Sequence, residues 1–231
     1  MNQRTNASGS GPGTITPDGC AVDLYLRLPS RGEAELVHSA VPEGAGIIEL
    51  GCGTGRISTP LARLGHRVVG VDESPEMLEH CHELETVCSS IEELALDERF
   101  DVVLLASYLV NSPEPLRTKL LRSARRHLAP GGTVVLQRHR PGWVRTVTDT
   151  SSDDGALRSS LLVLDRPAPD LLHARVRYEA DAMVWEQEFV TGDLDDAALP
   201  GVLAAAGLRF GRMLTDEGDW FTAVADQTGE Q

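Results

Sequence analysis

The chain is poor in the features that mark membrane and secreted proteins. None of its apolar runs approaches the roughly 18 residues that a membrane-spanning helix needs. Its first 20 residues lack the basic start and apolar stretch of a signal peptide. The 4 cysteines are scattered and form no CxxC pair, as in reduced cytoplasmic proteins: Cys20, Cys52, Cys81 and Cys88. We therefore expect a cytoplasmic protein without a membrane partner.

Basic residues are also scarce. The chain has 21 lysines and arginines against 35 acidic residues, a formal net charge of −14, and Lys119 is its only lysine. A field of that sign repels phosphate backbones, which disfavours a nucleic acid partner. The expected partner is a small-molecule substrate, and the sequence predicts no particular oligomeric state.

Short apolar strands alternate with helical patterns through the first two thirds of the chain. The predicted strands are 47–50, 67–71, 86–89, 101–106 and 133–137. Such alternation is typical of a parallel sheet that is covered by helices on both faces. Two further strands are predicted at 208–214 and 220–225. The pattern therefore predicts an α/β fold, with a Rossmann-like, doubly wound, mostly parallel sheet of seven strands.

The alternation of strands and helices ends after residue 137, because helical patterns no longer separate the predicted strands. Three strands follow one another at 157–164, 174–179 and 183–190. We expect them to form an inserted antiparallel β meander, at about residues 157–191, that caps the substrate site. Residues 1–19 are rich in Gly, Ser, Thr, Asn and Pro, which predicts a flexible tail. Residues 20–231 are predicted to form a single domain.

A glycine-rich loop follows the first apolar strand, in the run from Glu49 to Gly55. Glycines allow positive φ and let a ligand approach the backbone. Asp72 ends the next strand, where a carboxylate can accept both hydroxyls of a ribose. A tight turn and a solvent-facing aspartate would explain each feature alone, but together they indicate a cofactor site. Arg56 occupies the third glycine position of GxGxxG, which disfavours a nicotinamide dinucleotide.

The run from Ile47 to Met77 resembles the small-molecule branch of the class I S-adenosylmethionine-dependent methyltransferases, and 205–208 and 220–225 extend the resemblance. In that family the ExGxGxG loop cradles the methionine portion and the acid after the second strand holds the ribose. The resemblance implies S-adenosylmethionine as cofactor and S-adenosylhomocysteine as product. The implied cofactor-binding residues are Tyr25, Glu49, Gly51, Cys52, Gly53, Gly55, Asp72, Glu73, Met77, Ser90, Ile91 and Ala106.

The resemblance also implies individual roles within that set. Met77 would pack near the adenine, and the segment 90–94 would meet the adenine edge. Many relatives have Asp where Ser90 stands, so a hydroxyl would replace a carboxylate there. The backbone near Ala106 would accept a hydrogen bond from the amino group of the cofactor. Tyr25 would close over the cofactor, or would only anchor its own helix as a half-buried aromatic.

The carboxyl ends of the parallel strands are the expected floor of the substrate site. His139 is the candidate general base, because an ordinary histidine pKa of about 6.5 suits proton removal at neutral pH. A histidine that only hydrogen-bonds within its loop is the alternative. Arg138 could hold a substrate carboxylate or phosphate, or could be a solvated loop charge. The candidate substrate-binding residues are Ser107, Tyr108, Asn111, Arg138 and Trp143.

These observations predict transfer of a methyl group to an O, N or C atom of a small molecule, in bacterial secondary metabolism. One alternative is a protein that binds S-adenosylmethionine without methylating. Another is a nicotinamide-dependent oxidoreductase on a related fold. No metal site is expected, because residues two apart in 80–82 would not share a helix face.

Overall fold

The computed structural model describes residues 7–226, and these form two compact units. Unit 1 contains the described residues up to Pro29 together with Gly142–Asp193. Unit 2 contains Ser30–Pro141 and the described residues from Leu194 onwards. The described part of residues 20–231, predicted above to form a single domain, is therefore divided between two units, each with its own sheet and apolar core. Among residues 7–226, no helix is long and apolar enough to cross a membrane.

The elements are numbered in chain order. The strands are β1 (Ala7–Ser10), β2 (Gly46–Leu50), β3 (Arg67–Asp72), β4 (Glu85–Cys88), β5 (Phe100–Leu105), β6 (Leu128–Gln137), β7 (Thr150–Asp153), β8 (Arg158–Ala168), β9 (Leu171–Ala180), β10 (Met183–Gly192), β11 (Leu208–Met213) and β12 (Trp220–Ala225). The α-helices are α1 (Val22–Tyr25), α2 (Glu33–Ala40), α3 (Ser58–Arg63), α4 (Pro75–Leu78), α5 (Leu116–His127), α6 (Trp143–Thr146) and α7 (Leu199–Ala204), and a 3-10 turn spans Leu109–Asn111.

Unit 2 is built on a seven-stranded sheet in the order β11-β12-β6-β5-β2-β3-β4. The five strands from β6 to β4 run parallel to one another. Strand β12 is antiparallel to both β6 and β11. This arrangement confirms the predicted Rossmann-like, mostly parallel sheet of seven strands. The parallel order places the carboxyl ends of β2, β3 and β5 at one edge of the sheet.

Helices cover both faces of this sheet. Successive side chains of a strand point to opposite faces, so neighbouring residues of one strand enter different apolar cores. Ile48 of β2 and Val103 of β5 belong to one apolar core, which α5 and α7 complete through residues such as Leu120. The neighbouring Ile47 belongs to a second core, which α2 and α3 complete through residues such as Leu61. Burial on both faces explains why these strands read as continuous apolar runs.

Unit 1 is built on a five-stranded antiparallel sheet in the order β1-β10-β9-β8-β7. The strands β8, β9 and β10 correspond to the predicted meander; its role as a cap stays a prediction. Residues 7–10, expected to lie in a flexible tail, instead pair with β10 as strand β1. Backbone hydrogen bonds form this pairing, and a Cβ at Gly9 would lie 1.9 Å from the Gly19 oxygen. The first part of the predicted tail, residues 1–6, lies outside the described residues.

Candidate active site

The loop between β2 and α3 runs through the left-handed region at three glycines. Gly51, Gly53 and Gly55 have φ values of 80°, 55° and 81°. A Cβ at Gly51 would lie 2.7 Å from Leu109 Cδ1, so the loop packs closely against the turn that follows β5. The backbone N–H groups of Gly51 and Cys52 both donate to the Val71 oxygen, at 2.8 and 2.9 Å. These contacts hold the loop against the end of β3.

Asp72, the last residue of β3, joins the glycine loop to the start of α4. Its Oδ2 accepts a hydrogen bond from the Gly53 N–H at 2.9 Å, and its Oδ1 accepts one from the Ser74 N–H at 3.0 Å. Each carboxylate oxygen can accept more than one hydrogen bond, so ribose hydroxyls could bind the same group. The structure therefore brings together the two features that predicted a cofactor site.

Glu49 lies beneath the glycine loop and is 3% exposed. The Ser58 hydroxyl of α3 donates a hydrogen bond to its carboxylate. Burial raises the pKa of Glu49 to about 7, although the hydrogen bond from Ser58 acts in the opposite direction. This carboxyl group therefore titrates near neutral pH, which sequence reasoning did not predict.

The residues expected around the adenine lie in the segments that follow β3 and β4. Met77 is buried, and its N–H donates to the hydroxyl of Ser74, the N-cap of α4, at 3.2 Å. Ile91 is buried and its Cδ1 would lie 3.6 Å from a Cβ at Gly51, which places it against the glycine loop. Ser90 lines a surface groove that Lys119 of α5 also lines. Glu73 accepts a weak hydrogen bond from the Cys88 thiol through its carbonyl oxygen. Contacts of these residues with adenine stay predictions.

The turn after β5 also enters the left-handed region, but without glycine. Ser107 and Tyr108 have φ values of 54° and 62°, which is uncommon for side chains of this kind. The Gln137 side chain at the end of β6 accepts a hydrogen bond from the Ser107 N–H at 2.8 Å. Ala106 is buried, and its oxygen accepts a hydrogen bond from Leu109. Strained backbone of this kind is concentrated at functional sites.

The rings of Tyr108 and His139 stack, with centroids 4.3 Å apart and planes 12° from parallel. Tyr108 remains 43% exposed. Burial lowers the pKa of His139 to about 4, so its imidazole is neutral at physiological pH. The expected pKa of about 6.5 is therefore wrong for His139 in the folded protein. Asn111, predicted to contact substrate, is instead fully buried, and its Oδ1 accepts a hydrogen bond from the His139 N–H at 2.9 Å.

Arg138 does not have the role predicted for it. Its side chain is fully buried, and the guanidinium donates to the Gly218 oxygen at 2.7 Å and the Leu194 oxygen at 2.8 Å. It also forms an ion pair with Asp196. A buried guanidinium must be paired and hydrogen-bonded, and these internal partners meet that requirement. Arg138 therefore ties segments of unit 2 together and is not placed to hold a substrate anion.

Two further predicted site residues lie in unit 1. Trp143 packs against an apolar cluster formed by Val144, Leu172 and Ala174. The hydroxyl of Tyr25 accepts a hydrogen bond from the Cys20 thiol at 3.0 Å, and the proximity of Cys20 together with burial raises the pKa of Tyr25. The predicted roles of Trp143 in substrate binding and Tyr25 in closing the cofactor site stay predictions. Within residues 7–226, no group of three or more His, Cys, Asp or Glu could hold a metal ion.

Comparison with known proteins assigns the central segment to a family. Residues 47–132 match the family model described as a methyltransferase domain. The chain is 33% identical over 129 residues to a ubiquinone biosynthesis O-methyltransferase of Xanthomonas campestris, which covers 52% of this chain and 53% of that protein. It is 37% identical over 133 residues to a cypemycin N-terminal methyltransferase of a Streptomyces species, which covers 52% and 54%. The chain thus spans about half the length of the curated relatives it matches.

A solved structure shares its fold with a larger part of the chain. The CcbJ methyltransferase from Streptomyces caelestis has a TM-score of 0.72 to this chain, with 24% sequence identity, and covers 88% of this chain and 95% of that one. This likeness shows the shared fold. Together with the family match and the seven-stranded sheet, it confirms the predicted resemblance. Residues 47–132 thus match a methyltransferase domain, and the chain shares its fold with a solved methyltransferase.

Proposed function

We propose that this chain transfers the methyl group of S-adenosylmethionine to an O or N atom of a small molecule. The observation that carries the proposal is the hydrogen bond between Asp72 and the Gly53 N–H, at 2.9 Å. It joins the carboxylate expected to bind ribose to the loop expected to bind the methionine portion. The close approach of Leu109 to Gly51 places the strained turn after β5 against the same loop.

The cofactor fits the residues present. Asp72 offers acceptor oxygens, and the glycine loop offers backbone without side chains. When bound, S-adenosylmethionine would supply a methyl group attached to a positively charged sulfur. The glycine loop and Asp72 would orient it, and the residues at the ends of β5 and β6 would position the acceptor. Alignment of the two reactants and exclusion of water are the main requirements of such a displacement.

His139 is the proposed residue for handling the proton of the acceptor. Because its pKa is about 4, the imidazole is unprotonated at neutral pH and can accept a hydrogen bond or a proton. It is a weak base, so it suits an amine, whose lone pair needs little activation, better than a hydroxyl of high pKa. The relatives are named an O-methyltransferase and an N-terminal methyltransferase, which supports O and N acceptors.

The proposal is tested first by ligand binding to the full chain. Isothermal titration should show that S-adenosylhomocysteine binds and that NAD does not, whereas tighter binding of NAD would favour the oxidoreductase alternative. A mass-spectrometric screen of hydroxylated and aminated metabolites with S-adenosylmethionine should then reveal a methylated product. Binding without any methylated product across that screen would support the alternative of a non-methylating protein.

The role of His139 is tested once an acceptor is known. We expect His139→Ala to lower kcat at least about tenfold if the imidazole takes the proton, with an unchanged affinity for S-adenosylhomocysteine. His139→Gln, which can hydrogen-bond but not accept a proton, should be equally slow. The wild-type rate should not fall as the pH is lowered through about 6.5, the ordinary histidine value. A rise in KM alone would mean that His139 only positions the acceptor.

A further inference from the structure

Two thiols from separate segments of the chain lie close to Gly53 of the glycine loop. Cys52 belongs to the loop itself, and Cys81 follows α4 in the chain. Their sulfur atoms lie 3.7 and 3.4 Å from the same acceptor, the Gly53 oxygen. Both side chains are buried, with 5% and 3% of their surface exposed. Both thiols therefore lie against Gly53, the residue whose N–H donates a hydrogen bond to Asp72.

The surrounding backbone leaves room for this pair. A Cβ at Gly70 would lie 2.8 Å from the Cys52 sulfur, and a Cβ at Gly55 would lie 3.1 Å from the Cys81 sulfur. Glycine at both positions thus allows the two sulfurs to occupy one small space. The hydrogen bond between the two thiols lowers the pKa of Cys81 and raises the pKa of Cys52. Cys81 is consequently the readier of the two to become a thiolate, which is the reactive form of cysteine.

We propose that Cys52 and Cys81 are a site of reversible oxidation, at which a peroxide converts the two thiols into a disulfide that impairs cofactor binding. The Cys81 thiolate attacks one peroxide oxygen, the O–O bond breaks, and the departing hydroxide takes a proton to leave as water. The sulfenic acid on Cys81 is then attacked by the Cys52 sulfur, the S–O bond breaks, and the Cys52 proton leaves with the hydroxide as a second water. Two thiols and one hydrogen peroxide thus give one disulfide and two waters.

The loop cannot keep its present hydrogen bonds after this reaction. A disulfide has no S–H group, so the Gly53 oxygen can no longer accept a hydrogen bond from either thiol. A buried carbonyl group without a donor is costly, and the loop backbone would have to move to find one. Movement of Gly53 also disturbs its N–H contact with Asp72. Oxidation at this pair therefore acts on the same backbone that would hold the cofactor.

The other two cysteines provide matched controls. Cys20 lies in unit 1, where burial raises the pKa of its thiol and suppresses the thiolate. Cys88 is exposed and donates to the Glu73 oxygen, at 3.8 Å. Exposure makes Cys88 the easier target for a small oxidant, so a preference for the buried pair would reflect its geometry.

The test treats the full chain with hydrogen peroxide and maps disulfides by mass spectrometry, with the affinity for S-adenosylhomocysteine measured before and after. We expect a Cys52–Cys81 disulfide and an affinity about tenfold weaker, the equivalent of one lost hydrogen bond, which returns on reduction with dithiothreitol. Cys81→Ser should keep its affinity after peroxide, and Cys20→Ser and Cys88→Ser should lose it like the wild type.

Two outcomes would overturn the proposal. One is a fully cross-linked protein that binds S-adenosylhomocysteine as before, and the other is oxidation that stops at Cys88 with Cys52 and Cys81 intact. If Cys81→Ser does not fold, prior saturation with S-adenosylhomocysteine provides a second readout, because the bound ligand should slow disulfide formation. A reduced protein that does not bind S-adenosylhomocysteine at all would instead refute the proposed function.

Discussion

The turns that follow β2 and β5 both pass through the left-handed region, but residues of opposite kinds occupy them. The turn after β2 uses Gly51, Gly53 and Gly55, whereas the turn after β5 uses Ser107 and Tyr108. A left-handed residue with a side chain costs roughly 1–2 kcal/mol, which glycine avoids. The first turn thus presents bare backbone, and the second keeps its side chains in spite of the strain. Under the proposed function, the first turn would hold the cofactor and the second would recognise the acceptor.

The two turns also rest on different chemical groups. Two carboxylates lie at the glycine turn: Asp72 accepts a hydrogen bond from the Gly53 N–H, and Glu49 accepts one from Ser58 of α3. Two amides support the other turn, Gln137 through the Ser107 N–H and Asn111 through the His139 N–H. Carboxylates titrate and amides do not, so the two turns should respond differently to pH as well as to substitution.

The largest effect is expected at Gly51. Gly51→Val places a branched side chain at a φ of 80° and 2.7 Å from Leu109, so we expect an affinity for S-adenosylhomocysteine at least about 100-fold weaker. Gly65→Val is the matched control, because Gly65 has a φ of 96° and its added Cβ would meet none of the described residues within 4 Å. Titration calorimetry on both variants separates backbone strain from a specific role of the loop. Equal losses in the two variants would contradict that role.

A smaller effect is expected at Asp72. Asp72→Ala removes both acceptor oxygens, and we expect the affinity for S-adenosylhomocysteine to fall by about 1.5–3 kcal/mol. Asp72→Asn retains one oxygen and should lose less. If Asp72→Ala is folded but binds like the wild type, then Asp72 only shapes the loop and does not touch the cofactor.

The pH dependence of stability should differ in sign between the two turns. The pKa of Glu49 is about 7 in the folded protein and 4.5 ordinarily. Its contribution to the free energy of unfolding therefore decreases as the pH rises from 4.5 to about 7. His139 has a pKa of about 4 against 6.5, so its contribution to stability is lost as pH falls from 6.5 towards 4. The two contributions oppose each other in the wild type.

Single variants should expose each contribution. Glu49→Gln should be about 1–2 kcal/mol more stable than the wild type near pH 8, with little difference near pH 5. His139→Gln should gain stability relative to the wild type only near pH 5. Thermal unfolding at the two pH values measures both changes. A Glu49→Gln variant whose advantage does not depend on pH would contradict the raised pKa of Glu49.

The smallest effect is expected at Ser107. Ser107→Gly relieves a left-handed φ of 54° and keeps the N–H that donates to Gln137, so we expect up to about 1 kcal/mol of stabilisation. Ser112→Gly is the control, because Ser112 has an ordinary φ of −54° and should lose stability. Thermal unfolding of both variants tests the strain directly, and a loss of stability at Ser107 would show that the turn is not strained.

The sequence was informative where function or fold requires a particular residue type. Glycines at positive φ, an aspartate at a strand end and apolar strands between helices are visible without a structure. The roles of Arg138, Asn111 and Gln137 were not visible, because each depends on partners that the fold brings together across tens of residues. The pKa values of Glu49 and His139 depend on burial, which motifs do not report. Strand β1 forms through backbone pairing with β10, so the sequence carries no apolar pattern that would predict it.

The contacts of Arg138 bear on how this protein could be re-engineered. Unit 2 ends its first segment at Pro141 and resumes at Leu194, and the Arg138 guanidinium bonds to the oxygen of that resuming residue. One side chain therefore joins the two parts of unit 2 that flank the intervening segment. Chimeras that exchange residues 142–193 for the equivalent segment of a relative should keep Arg138, Leu194 and Gly218 unchanged. With those boundaries, a library could vary the exchanged segment as a cassette while the seven-stranded sheet remains intact.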